Sequence, residues 1–452
     1  MQAFKTELAD YLERYPQTEY IDTLLPDING FVRGKRLPAT AFNKLEKGCY
    51  LPCSVFSLDI TGVTIEEAGL GMKIGEPDRL CLPVSGTLSP SAIDPEKVAQ
   101  VLLTMKDEDG SGFSYEPRNV LASVVQRFKT LGYTPVVALE LEFYLVDPQR
   151  TEEGKLQPPV GFVTGARETM SQVYSVDGLA DFAGFLNDVN QLAKAQGVPA
   201  DSAVAEAAPG QFEINLKHGE DPVAACDHAI MLKRLIRELA GRYNYEATFM
   251  AKPYEEHPGN GLHIHVSLQD DAGGNVFANA DGEDSKLLQH AIAGSIDMMP
   301  ETVALLCPNV NSYRRLVPDM YVPLQASWGH NNRTVSLRIP ASGQQDRRIE
   351  HRLAGADANP YLTLAAVLSG MLYGIENKLT PPEEASPRIE SDLPLLPHRP
   401  ADALSKLAEG QLLSRYISQQ YIDLYSLCKR EELQRFERHV TALETEWMLK
   451  TA

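Results

Sequence analysis

The spacing of apolar and polar positions changes along this chain, and the changes divide it. Near the start Leu8, Tyr11 and Leu12 recur at helical spacing and predict a short amphipathic helix over residues 6–14. A strand-like run follows at 19–25, and Pro26-Asp27-Ile28-Asn29-Gly30 ends on an Asn-Gly step that favours a hairpin. Further β-like runs at 53–60, 78–84 and 98–105, joined by glycine-rich connections, predict a small sheet-rich module that ends in the polar stretch 106–115. From Pro117 the pattern turns helical (Val120, Leu121, Val124, Val125, Phe128, Leu131), and after Gly132 a strand is predicted over 136–146. Helices are predicted at 180–196, 222–243 and 360–378, then a proline-rich exposed stretch at 381–400 and mixed-charge helices over the last fifty residues. No internal repeat is visible.

Within that outline three stretches alternate strictly, Glu140-Leu141-Glu142-Phe143, Gln211-Phe212-Glu213-Ile214 and Leu262-His263-Ile264-His265-Val266-Ser267, and a fourth, Arg348-Ile349-Glu350-His351-Arg352, completes the set. Successive side chains on a strand point to opposite faces. Each stretch therefore sends its apolar residues into a core and its acids, imidazoles or guanidiniums onto one surface, where they predict a metal and phosphate site.

Length and composition narrow the classes. A chain of 452 residues suggests two or three domains. Hydrophobic content of 43% and charged content of 23%, without an apolar run approaching the roughly 18 residues of a membrane helix, describe a globular protein that does not span a membrane. The first residues lack a basic patch followed by an apolar segment, so the cytoplasm is expected. Six scattered cysteines, of which only Cys49 and Cys53 are close, read as reduced thiols. A net charge of −19 argues against a nucleic-acid partner. Asp107-Glu108-Asp109-Gly110 lacks the remaining ligands of a calcium loop and reads as a solvated turn.

Glu140 and Glu142, two residues apart on one face, repel each other unless a cation lies between them. Taken alone they would more often be a wet strand face; their recurrence with Glu206, Glu213, His263 and His265 shifts the balance. Glu206 and Glu213 bracket a turn and can converge on one ion, and magnesium or manganese takes such ligands. Seven arginines (Arg314, Arg315, Arg333, Arg338, Arg347, Arg348, Arg352) crowd one part of an otherwise acidic chain and suit carboxylate and phosphate oxygens. Metals held by carboxylates beside an arginine cluster describe phosphoryl transfer. No Walker-type glycine loop is present.

The segment 252–267, Lys-Pro-Tyr-Glu-Glu-His-Pro-Gly-Asn-Gly-Leu-His-Ile-His-Val-Ser, resembles the ATP-binding signature of the glutamine synthetase family. Glu140-Leu141-Glu142, Glu206 through Glu213, Asn311 to Pro318, Asn332-Arg333 and Arg347 to Glu350 follow in that family's order, so the resemblance spans the chain. It implies an α+β protein: a small N-terminal β-grasp domain (1–110) and a large C-terminal catalytic domain (111–452) with a curved antiparallel sheet, assembled as stacked rings, commonly dodecamers, with sites between neighbouring subunits. By motif it implies Glu142, Glu206 and Glu213 on one metal and Glu140, His263 and Glu350 on a second. His265, Ser267, Arg338 and Arg348 would face ATP; Gly259, Arg315 and Arg352 would hold glutamate; Arg333 would steady the transferred phosphoryl group. The implied reaction phosphorylates the glutamate γ-carboxylate from ATP and lets an amine displace phosphate.

Two departures concern that amine. Family members that use ammonia carry a flap glutamate after Arg-Leu-Val-Pro, where this chain reads Asp319-Met320-Tyr321. The Tyr321 phenol, with an ordinary pKa near 10, cannot supply that charge, but its ring can contact an alkylammonium by cation–π attraction worth about 0.5–2 kcal/mol. Asp59, in Leu58-Asp59-Ile60-Thr61-Gly62, stands where ammonia users have Phe-Asp-Gly-Ser-Ser. Glu390-Ser391-Asp392 lacks the tyrosine loop adenylylated in many bacterial members. The opening segment 25–35 and the stretch Leu58-Asp59-Ile60-Thr61-Gly62 resemble the γ-glutamylputrescine and γ-glutamylpolyamine synthetase branch, which serves polyamine breakdown. The alternatives are an ammonia-using enzyme with a divergent flap, a ligase for another amine such as ethanolamine, a guanidino kinase, and a catalytically silent ring-forming relative.

Overall fold

The computed structural model of the protein describes residues 2–170, 173–318, 320–385 and 393–452; Asp319 and the Glu390-Ser391-Asp392 segment lie outside them. Two sheets organise the described chain. The first contains β1 (Tyr20–Pro26), β2 (Val32–Arg33), β3 (Arg36–Pro38), β4 (Cys49–Pro52), β5 (Asp78–Pro83), β6 (Ser89–Pro90) and β7 (Val98–Met105). Its order is β2-β1-β7-β5-β4, with β3 added to β1 and β6 to β7. The hairpin expected at Asn29-Gly30 joins β1 to β2, while β1 and β7 run parallel. The helix Gln2–Arg14 covers this sheet, burying Phe4, Leu8 and Tyr11 against Ile21, Ala99 and Val101.

One expected strand is absent. Cys53–Ser57 forms a short 3-10 helix in which all five residues are buried, because the segment is wedged between the sheet and the C-terminal helix Gln419–Glu437, with Leu424 and Cys428 in the same cluster. All six cysteines are free thiols, as expected.

The second sheet contains β8 (Thr134–Val146), β9 (Ala200–Ala205), β10 (Gln211–Leu216), β11 (Glu246–Thr248), β12 (Leu262–Gln269), β13 (Trp328–His330), β14 (Leu337–Ile339) and β15 (Ile349–His351). The order is β13-β14-β15-β12-β8-β10-β9, with β11 on β8, and every pair is antiparallel except β13 and β14. Its inner face rests on the helices Pro117–Thr130, Ala183–Ala195 and Pro222–Arg242, and Leu139, Leu141, Ile264 and Val266 are fully buried there. The helix expected at 180–196 breaks into Val176–Ala180 and Ala183–Ala195.

No expectation covered the 21-residue helix Lys286–Leu306, which packs along Pro360–Asn377. The backbones touch: a Cβ on Gly374 would lie 1.8 Å from the His290 carbonyl oxygen, so only glycine fits. Among the described residues no helix is long and apolar enough to cross a membrane.

Candidate active site

Strand register brings the alternating polar positions side by side. Glu213 pairs with Glu142, Asn215 and His263 flank Glu140, and His265 sits between Ala138 and Glu350, which in turn pairs with Arg338. Burial alternates as the sequence predicts: Leu139, Leu141 and Phe143 are fully buried, while Ala138, Glu140 and Glu142 are partly open on the other face.

Glu140 is the hub. Its Oε2 lies 3.2 Å from His263 Nδ1 and its Oε1 2.9 Å from His265 Nε2. Arg348 Nε donates to His265 Nδ1 at 3.1 Å, which leaves the His265 Nε2–H to donate to Glu140. Glu142 Oε1 lies 3.9 Å from His263 Nε2, and the other Glu142 oxygen accepts from the Gly261 amide at 2.7 Å. Glu213 Oε2 comes within 4.0 Å of His263 Nδ1.

The charges are unequal across this face. Burial raises the Glu140 carboxyl, but its hydrogen bonds to His263 and His265 prevail and hold it well below the usual carboxylate range. Burial, then repulsion from Glu140, Glu142 and Glu206, pushes Glu213 up. Burial and Glu142 push Glu206 up to about 7, with the Arg333 charge partly offsetting them. Such an arrangement of repelling acids stores a cost that a cation removes.

Among the described residues two sets of ligand atoms lie within 4.8 Å of one another, Glu140 with His265 and Glu350, and Glu140 with Glu213 and His263. Carboxylate oxygens with imidazole nitrogens suit a divalent cation, so the residues present fit one. Glu140 is common to both sets, and His265 stands within reach of Glu140 and Glu350. The reason is register, which places His265 opposite Glu350.

The arginines separate by contact. Arg338 Nη1 bonds Glu350 at 2.7 Å and Arg352 bonds its other oxygen, so both are drawn to a metal-facing acid. Arg315 is buried, with Nη1 donating to the Leu353 carbonyl at 3.2 Å. Arg347 turns to Asp284 at 2.5 Å, away from this face, and so leaves the cluster that the sequence suggested. Arg333 and Arg314 are exposed. Gly259 has no room for a side chain: a Cβ would lie 2.4 Å from Arg315 Cγ and 2.3 Å from the Ala251 carbonyl oxygen. Ser267 is half-buried on the same face of β12 as the histidines.

Asp59 and Tyr321 are not brought into this cluster by any contact among the described residues. Asp59 is buried and builds its own turn: Oδ1 accepts from Thr61 N at 2.9 Å, Thr61 Oγ1 at 2.7 Å and Val63 N at 2.9 Å, while Oδ2 pairs with Arg435. Tyr321 is 72% exposed, in left-handed backbone at φ 53.

Other residues shape the site without having been assigned roles. Gln211 Nε2 donates to the Gly259 carbonyl at 3.1 Å, and Tyr144 Oη to that of Pro258 at 2.7 Å, fixing the loop before β12. Gln211 was visible in the alternation, on the same strand face as Glu213; nothing local marked Tyr144.

With this geometry, the chain belongs to the glutamine synthetase family: residues 114–448 match that family's catalytic domain. It is 56% identical over 451 residues to the gamma-glutamylputrescine synthetase PuuA of Escherichia coli (strain K12), covering 100% of this chain and 96% of that one. A glutamate–isopropylamine ligase of a Pseudomonas species is 32% identical over 97% of this chain and 96% of its own length. The solved GmaS/ADP complex in its conformation 1 superposes with a TM-score of 0.84 at 25% identity, over 98% of this chain and 99% of that one. The protein is thus a homologue of a glutamate–amine ligase, in a family of ligases that use ATP and divalent metals.

Proposed function

We propose that the protein ligates the γ-carboxylate of glutamate to an amine of putrescine or a longer polyamine, at the expense of ATP and through γ-glutamyl phosphate. The observation that carries this reading is the full-length 56% identity to a gamma-glutamylputrescine synthetase, in a chain whose sheet face gathers Glu140, Glu213, Glu350, His263 and His265. Magnesium or manganese would be held by Glu140, Glu142, Glu206, Glu213, His263 and Glu350, with His265 at the border of the set. Bound there, the ions neutralise charge on the transferring phosphoryl group.

The rest falls to the chain's own groups. His265, Ser267, Arg338 and Arg348 bind ATP, and Arg333 lies over the phosphoryl group during transfer. Arg315 and Arg352 hold the glutamate carboxylate beside Gly259, where the absence of a side chain lets Arg315 pack against the loop. Tyr321 and Asp59 serve the amine, which attacks the acyl carbon, displaces phosphate and gives up one N–H proton. The two sheets belong to a β-grasp domain of residues 1–110 and a catalytic domain of residues 111–452. Two rings of subunits stack into a dodecamer in the cytoplasm, where the enzyme acts in polyamine breakdown.

A second reading, a different amine, is favoured by the isopropylamine ligase above and by a gamma-glutamylethanolamide synthetase, GlnA4 of Streptomyces coelicolor, 31% identical over 94% of this chain and 92% of its own length. Phosphate release from ATP, magnesium and glutamate, measured with putrescine, spermidine, ethanolamine, isopropylamine or ammonia in turn, decides between them. Fastest turnover per KM with a polyamine is expected; a preference for ammonia would falsify the proposal.

A further inference from the structure

The helix Gln419–Glu437 carries a buried lysine that bridges the first sheet and the segment leading to Arg315. Lys429 is 3% exposed, and its Nζ reaches three groups: Asn29 Oδ1 at 2.5 Å, Glu432 at 2.8 Å and Asn309 Oδ1 at 3.5 Å. Burying an ammonium is costly unless its protons are taken up, and these three acceptors come from three separate segments.

Each acceptor leads onward. Asn29, in the hairpin turn of the first sheet, donates through Nδ2 to the Leu58 carbonyl at 3.2 Å, and Glu432 accepts from the Ile60 amide at 2.8 Å. The turn carrying Asp59 is thereby held at both ends. On the opposite side Asn309 caps the short helix Val310–Arg315: its backbone N–H donates to Ser312 Oγ at 3.0 Å, and its side-chain Nδ2 donates to Asp357 at 2.7 Å, while its Oδ1 accepts from Lys429. Ser312 Oγ donates to the same Asp357 oxygen at 2.6 Å. The last residue of that helix is Arg315.

We infer that Lys429 is a positioning residue that fixes the helix ending in Arg315 relative to the Asp59 turn, and so sets the binding of glutamate. The inference rests on the proposed role of Arg315 in holding glutamate. Lys429 touches no substrate; it acts by satisfying the Asn309 amide oxygen, which orients the cap of the helix, while its grip on Asn29 ties that helix to the first sheet. Breaking the tie from either end should displace Arg315 and leave the nucleotide face on β12 and β15 untouched.

Steady-state phosphate release by the full-length protein, with ATP, magnesium, putrescine and varied glutamate, tests this. Lys429→Met and, from the other sheet, Asn29→Ala should each raise KM for glutamate about tenfold with KM for ATP unchanged, and Lys429→Arg should restore most of the loss. A general loosening of the fold would instead move both constants together, and that result, or an unchanged KM for glutamate, overturns the inference. Should Lys429→Met not fold, Asn29→Ala carries the same test. An Arg315→Met variant with unaltered KM for glutamate overturns it as well. Wild-type phosphate release that does not depend on glutamate would sink the proposed function itself; glutamate-dependent turnover with insensitive variants sinks only the role of Lys429.

Discussion

On the face of the large sheet, Glu140, Glu142, Glu213 and His263 are placed by strand register, over Leu139 and Leu141 that are fully buried beneath them. At Tyr321 the chain does the reverse: a bulky side chain lies 72% exposed, on backbone with φ 53 that costs a residue with a Cβ about 1 kcal/mol or more. The first region cannot move one side chain without disturbing a packed layer. The second can change its side chain with little effect on anything beneath it. On the proposed reading, phosphoryl transfer uses the first kind of scaffold and the choice among related amines the second.

The largest effect that would break this contrast is expected at Glu213. Glu213→Gln removes a carboxylate from the face and should lower kcat by on the order of 100- to 1,000-fold. Without divalent metal the same substitution should raise the melting temperature, because burial and the neighbouring acids push the native carboxyl up and its ionised form is destabilising. The sign extends to pH. Glu206 rises from 4.5 to about 7, so the stability associated with its protonated form is present below 4.5 and is lost as pH climbs through about 7. Calorimetric scans in EDTA and in magnesium check both points; a Glu213→Gln variant less stable than wild type in EDTA would show that the acids do not repel as described.

A smaller loss is expected where the rigid region meets the substrate loop. Gly259→Ala places a methyl 2.4 Å from Arg315 Cγ and 2.3 Å from the Ala251 carbonyl, so Arg315 or the loop must shift. KM for glutamate should rise about 10- to 100-fold with little change in KM for ATP. Equal effects on both substrates would mean that the loop and the nucleotide face are not separable.

The same contrast governs what could be read from sequence. Alternation exposed the sheet face because period 2 is local, and the strands appeared where Glu140, Glu213 and His263 required them. Register then adds what alternation cannot show: His265 lies opposite Glu350, a fact set by pairing between strands 80 residues apart and invisible in either strand alone. Arg347 and Arg348 are neighbours in sequence but diverge to Asp284 and His265. The helix Lys286–Leu306 escaped because Pro300 lies within it and most of its residues are buried, leaving no clear polar stripe. Asp59 is fixed by Arg435, a partner 376 positions away that only the fold brings to it.

The smallest and most selective effect is expected at Tyr321. Tyr321→Glu substitutes a carboxylate for a phenol on an exposed loop, so the melting temperature should stay within about a degree or two, as for surface changes in general. The new charge attracts ammonium, while loss of the ring removes a contact with an alkylammonium worth about 0.5–2 kcal/mol. The ratio of kcat/KM for putrescine to that for ammonia should therefore fall by a few-fold to about tenfold. Tyr321→Phe separates the two terms: it keeps the aromatic face and removes only the hydroxyl, so the preference for putrescine should persist. If Tyr321→Glu leaves the ratio unchanged while Glu213→Gln abolishes turnover, the amine is chosen on the packed face after all, and the division between a rigid chemical scaffold and a selective loop does not hold for this protein.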